Sequence, residues 1–247
     1  MNSMKRQRIR KAILLISFLL FPITIYYFSP VLVIQGASKG VVVGSLILFG
    51  LMFLSSLFLG RGFCGWACPA GGLQECCTLS VDKKAAGGKF NLIKYIIWVP
   101  WILTIIVLAL LAGGFNSVDF FYQINDGISV SDKFGYIIYY FFVGLIVLLA
   151  LAGGKRAFCH YVCWMAPFMV IGSKIKSVLP IPSLRVRPIK DNCKSCKSCD
   201  GKCPMSLPVS TMVQQDSMEN TECILCGQCV DTCTKGALKF SFGLPKR

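Results

Sequence analysis

The chain is poor in acid and poorer in histidine. Its 247 residues include 11 Asp and Glu against 26 Lys and Arg, and a single histidine, His160. Four stretches, 12–28, 41–59, 95–112 and 135–152, carry no charged residue at all. That absence excludes the polar faces at 3.6-residue spacing by which helices of a soluble protein meet water. Each stretch is 17 to 19 residues long, near the length that crosses about 30 Å of hydrocarbon. The same absence excludes a proton path of ionisable side chains through the spans. No C-x-x-C-H occurs, so covalent c-type haem has no attachment site. Neither a Rossmann glycine fingerprint nor a P-loop is present, which argues against NADH or ATP bound by this chain. No A-x-A-like site follows Phe28, so the basic and then apolar N-terminus is expected to be an uncleaved anchor rather than a secretory signal.

What is abundant is apolar surface, basic charge and cysteine. Hydrophobic residues make up 55% of the chain and the mean hydropathy is +0.64. The basic residues are segregated. Five lie in the N-terminal tail, five between Arg61 and Lys94, and fourteen from Lys155 onward, whereas loops 29–40 and 113–134 hold only Lys39 and Lys133. The second of these loops also carries Asp119, Asp126 and Asp132. By the positive-inside rule both termini and all cysteine motifs face the cytoplasm of an inner-membrane, multi-pass protein. Cytosolic thiols stay reduced, so the 14 cysteines are not a disulfide scaffold. The net charge of +15 needs no nucleic-acid partner, because topology and anionic headgroups explain basic charge gathered on one membrane face.

Eight cysteines fall in two matching runs, Cys193-x2-Cys196-x2-Cys199-x3-Cys203-Pro204 and Cys223-x2-Cys226-x2-Cys229-x3-Cys233. Three thiolates at this spacing wrap one cubane iron–sulfur cluster and the fourth reaches across to the other. Cluster I is then held by Cys193, Cys196, Cys199 and Cys233, and cluster II by Cys223, Cys226, Cys229 and Cys203. Zinc also uses paired C-x2-C, but it has no use for the third step or the crossed cysteine.

A second set repeats in the membrane part. Arg61-Gly62-Phe63-Cys64-Gly65-Trp66-Ala67-Cys68 follows the second apolar stretch, and Arg156-Ala157-Phe158-Cys159-His160-Tyr161-Val162-Cys163 follows the fourth, 95 residues later. Each unit reads as a helical hairpin delivering two cysteines to one surface, a parallel repeat. If each span continues as helix through its motif, both thiols of a pair face one side. Cys64, Cys68, Cys159 and Cys163 would then converge on a third redox centre, most plausibly iron–sulfur. Structural cysteines, or a thiol pair that handles metal transiently, are the competing readings. Cys76 and Cys77 read as small buried residues. His160 could relay a proton beside that centre, against the commoner reading of a hydrogen-bonded structural histidine.

The expected fold is an α-helical membrane protein. Residues 1–180 form four transmembrane helices in two tandem hairpins, 181–190 a Pro-rich, extended linker, and 191–247 a small C-terminal α+β two-[4Fe–4S] ferredoxin-like domain. Its core is too small to fold without metal. Residues 164–179 alternate apolar and Lys positions and are expected along the membrane surface. Trp98, Trp101, Tyr26, Tyr27, Tyr136, Tyr139 and Tyr140 read as interfacial belts. With no charge inside the spans, a quinone site is expected near an interface, where Arg61, Glu75, Lys155, Arg156 or His160 could serve its protons.

With four spans, paired F-C-x3-C motifs and a terminal two-cluster module, the chain resembles the NapH-type membrane polyferredoxins. The family's membrane motifs usually read C-x3-C-P, matched here by Cys64-x3-Cys68-Pro69, whereas Cys163 is followed by Trp164 and Cys233 by Thr234. The resemblance implies a quinol dehydrogenase-like oxidoreductase subunit that passes electrons between the quinone pool, or a membrane redox partner, and a second protein. Hetero-oligomerisation with other redox subunits is expected with it. Lys194, Lys197 and Lys202 would suit an acidic ferredoxin or flavodoxin carrier, or simply solvate the surface and offset cluster charge. The alternative function is an assembly or regulatory protein that reduces or delivers metal for a respiratory metalloenzyme.

Overall fold

The computed structural model describes residues 3–124 and 127–244. Asp126 of the acidic loop and the last three residues of the 191–247 module lie outside them. The protein is mostly helical; among the described residues two helices are long and apolar enough to cross a membrane, and a bent pair offers a third crossing. The sequence leads to an expectation of four transmembrane helices, and the first two stretches are interrupted.

The first stretch is broken. Helix α1 (Ser3–Leu19) stops one residue before α2 (Phe21–Thr24) and the 3-10 turn Ile25–Phe28, and the chain bends by 60° between Leu19 and Phe21. Pro22 is the physical cause: it has no N–H to give to Phe18, and its ring excludes that carbonyl. Helix α3 (Pro30–Ser38), capped by Ser29, then leads to β1 (Val41–Val43). The second stretch therefore begins as strand, and α4 (Gly44–Leu59) has 16 helical residues, about 24 Å of axis. Strand β1 pairs in parallel with β2 (Ser117–Asp119), which holds loops 29–40 and 113–134 together at one end of the molecule.

At the other end, α5 (Gly62–Trp66), α6 (Pro69–Cys77) and α9 (Ala157–Tyr161) surround the membrane cysteine motifs. The long spans are α7 (Ile93–Leu111), entered through the 3-10 turn Gly88–Leu92, and α8 (Lys133–Gly153), capped by Asp132. Leu103, Leu110 and Leu111 on α7 and Ile137, Phe141 and Leu148 on α8 are each more than half exposed; they are the faces that meet hydrocarbon. Tyr136 and Tyr140 stand exposed near the start of α8, as a belt requires, but Trp98 and Trp101 do not. Both pack edge-on against Phe168, and Trp101 Nε1 donates to Pro30 O at 3.1 Å. Interior helix contact, rather than the membrane surface, holds them.

Helix α10 (Ala166–Val178) also departs from expectation. It buries Ala166, Pro167, Met169, Val170, Gly172 and Ser173 and packs along α4 rather than lying on the surface. A Cβ on Gly172 would stand 1.7 Å from Ser56 Oγ, so the two helices meet where this position has no side chain. Beyond it, Ser183–Pro188 forms β3, paired antiparallel with β4 (Leu238–Gly243) from Ser183↔Gly243 to Pro188↔Leu238. The Pro-containing strap is extended as expected, and it is half of a two-stranded sheet. Three short helices, α11 (Ser198–Lys202), α12 (Val209–Gln214) and α13 (Gln228–Thr232), complete the terminal module.

Candidate metal centres

Neither α4 nor α8 runs on into its cysteine motif. Each ends on a glycine with positive φ, Gly60 at 53° and Gly154 at 93°, the usual way for a helix to stop and turn. The first cysteine of each pair then sits on a five-residue helix and the second just after it. In both motifs the second cysteine's N–H donates to the same phenylalanine carbonyl, Cys68 to Phe63 O at 3.0 Å and Cys163 to Phe158 O at 2.9 Å. One backbone shape is used twice.

The four thiols nevertheless share one core. Cys64, Cys68, Cys159 and Cys163 are 3, 2, 1 and 3% exposed and belong to one buried cluster. Gln74 fixes the second motif, its Nε2 donating to Cys159 Sγ at 3.2 Å and its Oε1 accepting from the Phe158 N–H at 3.1 Å. Burial, and then the neighbouring Cys159 and Cys64, push the Cys163 thiol up to about 12. Cys68 is raised well above its ordinary value by burial and then by Cys64, Cys159 and Cys163. Four mutually opposed thiols in a dry pocket give up their protons when a soft cationic group takes their place.

Two buried carboxylates frame this site, each held between two cations. Glu75 accepts from Arg10 Nη1 and Nη2, both at 2.8 Å, and from Arg156. Glu222 accepts from Arg61 at 2.5 Å and from Lys94. Arg10, Arg61, Lys94 and Arg156 are fully buried. Burial alone would raise the Glu75 carboxyl, but Arg156 and Arg10 hold it below the usual carboxylate range; Arg61 and Lys94 do the same for Glu222. Arg61 and Arg156 are the arginines that open the two motifs; Arg61 lies close enough to Cys64 and Cys159, and Arg156 to Cys159 and Cys68, to feel their charge. Arg61 Nε and Nη2 and Arg156 Nε are buried with no hydrogen-bond partner. Unspent cationic donors beside four thiols fit an anionic iron–sulfur group, which accepts hydrogen bonds at its sulfurs.

In the terminal module, Cys193, Cys196, Cys199 and Cys233 line one cavity of about 140 Å³. Cys203, Cys223, Cys226 and Cys229 line another of about 20 Å³. Cys233 thus lies with the first run and Cys203 with the second. The duplication extends to the backbone: Ser195, Lys197 and Ser206 have φ of 52, 58 and 54°, and thirty residues on Leu225, Gly227 and Gly236 have 49, 75 and 65°. Left-handed residues set among right-handed ones can gather N–H groups into a concave nest, a device suited to anionic sulfur. Gly227 and Gly236 were the only sequence signals of it. Among the described residues no three His, Cys, Asp or Glu side chains close on a common metal-ligand point.

The sites touch. A Cβ on Gly65, next to Cys64, would lie 2.2 Å from Ile224 O, and Trp66 Nε1 donates to Leu225 O at 3.1 Å. The first membrane motif therefore packs directly on the loop between Cys223 and Cys226. Gln7, on α1, donates to Cys226 O at 3.1 Å from the other side.

A family model described as a 4Fe-4S binding domain matches twice, at residues 41–85 and 134–182, and a 4Fe-4S dicluster domain matches residues 192–238. A protein of Methanocaldococcus jannaschii, MJ0750, is 30% identical over 201 residues, covering 78% of this chain and 76% of its own. The chain belongs to the NapH-type membrane polyferredoxin family. Further relatives are the putative electron transport protein YccM of Escherichia coli, 23% identical over 86% of this chain and 60% of its own, and the ferredoxin-type protein NapH of Haemophilus influenzae, 23% identical over 72% and 61%. No solved structure matches the chain. As a member of this family it is a membrane-associated iron–sulfur electron-transfer protein. The doubled match falls on the two halves of the 95-residue repeat.

Other singled-out residues fall differently. His160 is buried and shares a 2.8 Å hydrogen bond through Nδ1 with Asn91, while burial lowers its pKa to about 4. Cys76 is exposed and Cys77 half-buried, not buried as expected, because the buried face of α6 runs from Pro69 to Gln74. Arg61, Glu75, Arg156 and Lys155 are engaged in ion pairs.

Proposed function

We propose that the protein is a fixed, membrane-embedded wire. In this reading electrons pass between the quinone pool and a soluble redox partner through three iron–sulfur centres. The first is held by Cys64, Cys68, Cys159 and Cys163, the second by Cys203, Cys223, Cys226 and Cys229, and the third by Cys193, Cys196, Cys199 and Cys233. Each group supplies one-electron chemistry when its site is loaded. The chain's own residues do the rest: Arg61 and Arg156 offset thiolate charge, Gln74 orients Cys159, and Glu75 and Glu222 hold the arginines. The observation that carries the reading is Gly65, whose missing side chain lets the first membrane motif lie on the backbone beside Cys223 and Cys226. Segregated basic charge supports four crossings with both ends and all three centres on the cytoplasmic side. The exposed Lys194 and Lys197, beside the cysteines of the outermost centre, favour an acidic carrier as the soluble partner.

The test is a metal count joined to spectroscopy on the full chain. Three cubanes require about 12 irons per chain and two require about 8. Cys64→Ser and Cys159→Ser should each remove one set of EPR signals and leave those of the terminal module. A wild-type count near 8, with spectra unchanged in both variants, would falsify the third centre.

A further inference from the structure

The break in the first crossing opens a cavity of about 730 Å³. Irregular backbone at membrane depth survives only where it is buried in protein or lines a cavity, and residues Phe21 to Gln35 line this one. Helix α8 forms the facing wall. Phe134, Ile138, Phe142 and Ile146, at four-residue spacing, line it over about 18 Å of helix axis. The two ends differ in chemistry. One is walled by Pro69, Phe158 and Trp164, the immediate neighbours of Cys68, Cys159 and Cys163. The other holds Tyr26 and Asp132, on the side of the acidic loop. Between them Gln35 Oε1 is buried without a hydrogen-bond partner. Val31 and Phe134 belong to the lining and are themselves 52 and 66% exposed, so the cavity has a sideways mouth on the lipid-facing surface.

An occupant must enter from hydrocarbon, fill a long aromatic slot, offer a hydroxyl to a lone acceptor, and exchange electrons with thiol-bound iron. We infer that this cavity is where an isoprenoid hydroquinone is oxidised, and that its protons leave at the Asp132 end, opposite the cysteine sites. The inference rests on the reading of Cys64, Cys68, Cys159 and Cys163 as a redox centre. Two O–H bonds of the hydroquinone break to give quinone, two protons and two electrons. The two electrons would be taken up, one at a time, by the iron–sulfur group that Cys64, Cys68, Cys159 and Cys163 would hold, and would leave through the groups of the terminal module. The protons go to water by way of Tyr26 and the Asp132 carboxylate, with Gln35 Oε1 holding one hydroxyl.

The experiment uses the cluster-loaded full chain in lipid nanodiscs, with an azidoquinone photoprobe and a short-chain quinol as reductant. Adducts are expected on peptides from 21–35 and 134–146, competed by the short-chain quinone. Ile138→Trp, which fills the slot, should abolish them and slow quinol reduction of the clusters at least tenfold, while dithionite still reduces every cluster to the wild-type EPR spectrum. Asp132→Asn keeps the helix cap and should slow quinol reduction about tenfold with labelling unchanged. Saturable labelling confined to residues 61–94, or wild-type reduction rates in Ile138→Trp, would overturn the site. Wild-type rates in Asp132→Asn would overturn the proton exit. If quinol fails to reduce the wild-type clusters that dithionite reduces, the quinone arm of the proposed function falls too; an iron count near 8 sinks the third centre alone.

Discussion

The molecule contains two duplications, and they are held together by different means. In the terminal module each cysteine run shares its cavity with one cysteine of the other, and the repeat extends to left-handed residues thirty positions apart. In the membrane part each motif is completed by a charge from elsewhere: Arg156 of the second finds Glu75 just after the first, and Arg61 of the first finds Glu222 in the terminal module. One duplication closes on itself, whereas the other is chained forward. The difference teaches where the two halves are joined, because Glu222 precedes Cys223 and Arg61 precedes Cys64 by only a few residues.

The comparison breaks most completely on removal of iron. The terminal module has little core of its own, so chelation should unfold it entirely while α7 and α8 persist. Limited proteolysis would then cut between Lys190 and Lys202 in the apoprotein and leave the long helices intact; equal protection of both regions would contradict the asymmetry. Next in size are the bridging carboxylates. Glu222→Gln and Glu75→Gln each leave two buried cations without a counter-charge, at about 3–5 kcal/mol. Denaturant titration should show the loss in both. Only Glu222→Gln should also slow electron transfer from the membrane-side centre to the terminal one. Because Glu75 is held below its ordinary value, its share of stability is fully present above about pH 4.3, the unfolded value, and is lost as pH falls through the folded one. Unfolding midpoints against pH should lose that acid-side fall in Glu75→Gln.

A smaller effect is expected from Gly65→Ala. Its methyl would collide with Ile224 O and force the motif off the loop, costing about 1–3 kcal/mol and slowing transfer between the two centres. Unchanged stability and transfer would show that the contact is dispensable. Smallest of all is Cys76→Ser, an exposed side chain whose change should stay within about 0.5 kcal/mol. Iron content in that variant should equal wild type, and a loss of iron would recruit Cys76 to a centre.

Much of this was legible because cysteine ligand spacing is a local code. The runs from Cys193 and Cys223 and the F-C-x3-C pairs can be read within a few residues, and α8 lies close to its expected bounds. What escaped reading is set by partners far apart in the chain. Arg61 and Glu222 are 161 residues apart, and no periodicity announces such a pair. Lys94 is buried because Glu222 lies against it. Pro22 was visible inside the first apolar stretch, yet hydropathy counts it as one residue among many, while its missing N–H breaks the helix and opens a cavity. The span ends were legible in principle, since Gly60 and Gly154 stand where the helices stop.

The pairing of β3 with β4 has a mechanical meaning. The strand that leaves the membrane part and the strand that closes the terminal module are hydrogen-bonded along their length, so the module's two ends are tied together, while Trp66 and Arg61 hold it on the membrane part. It cannot travel as cargo on a flexible tether between donor and acceptor. Under the proposed function, the carrier comes to a stationary module, and turnover tracks the concentration and charge of that carrier rather than a swing of the protein itself.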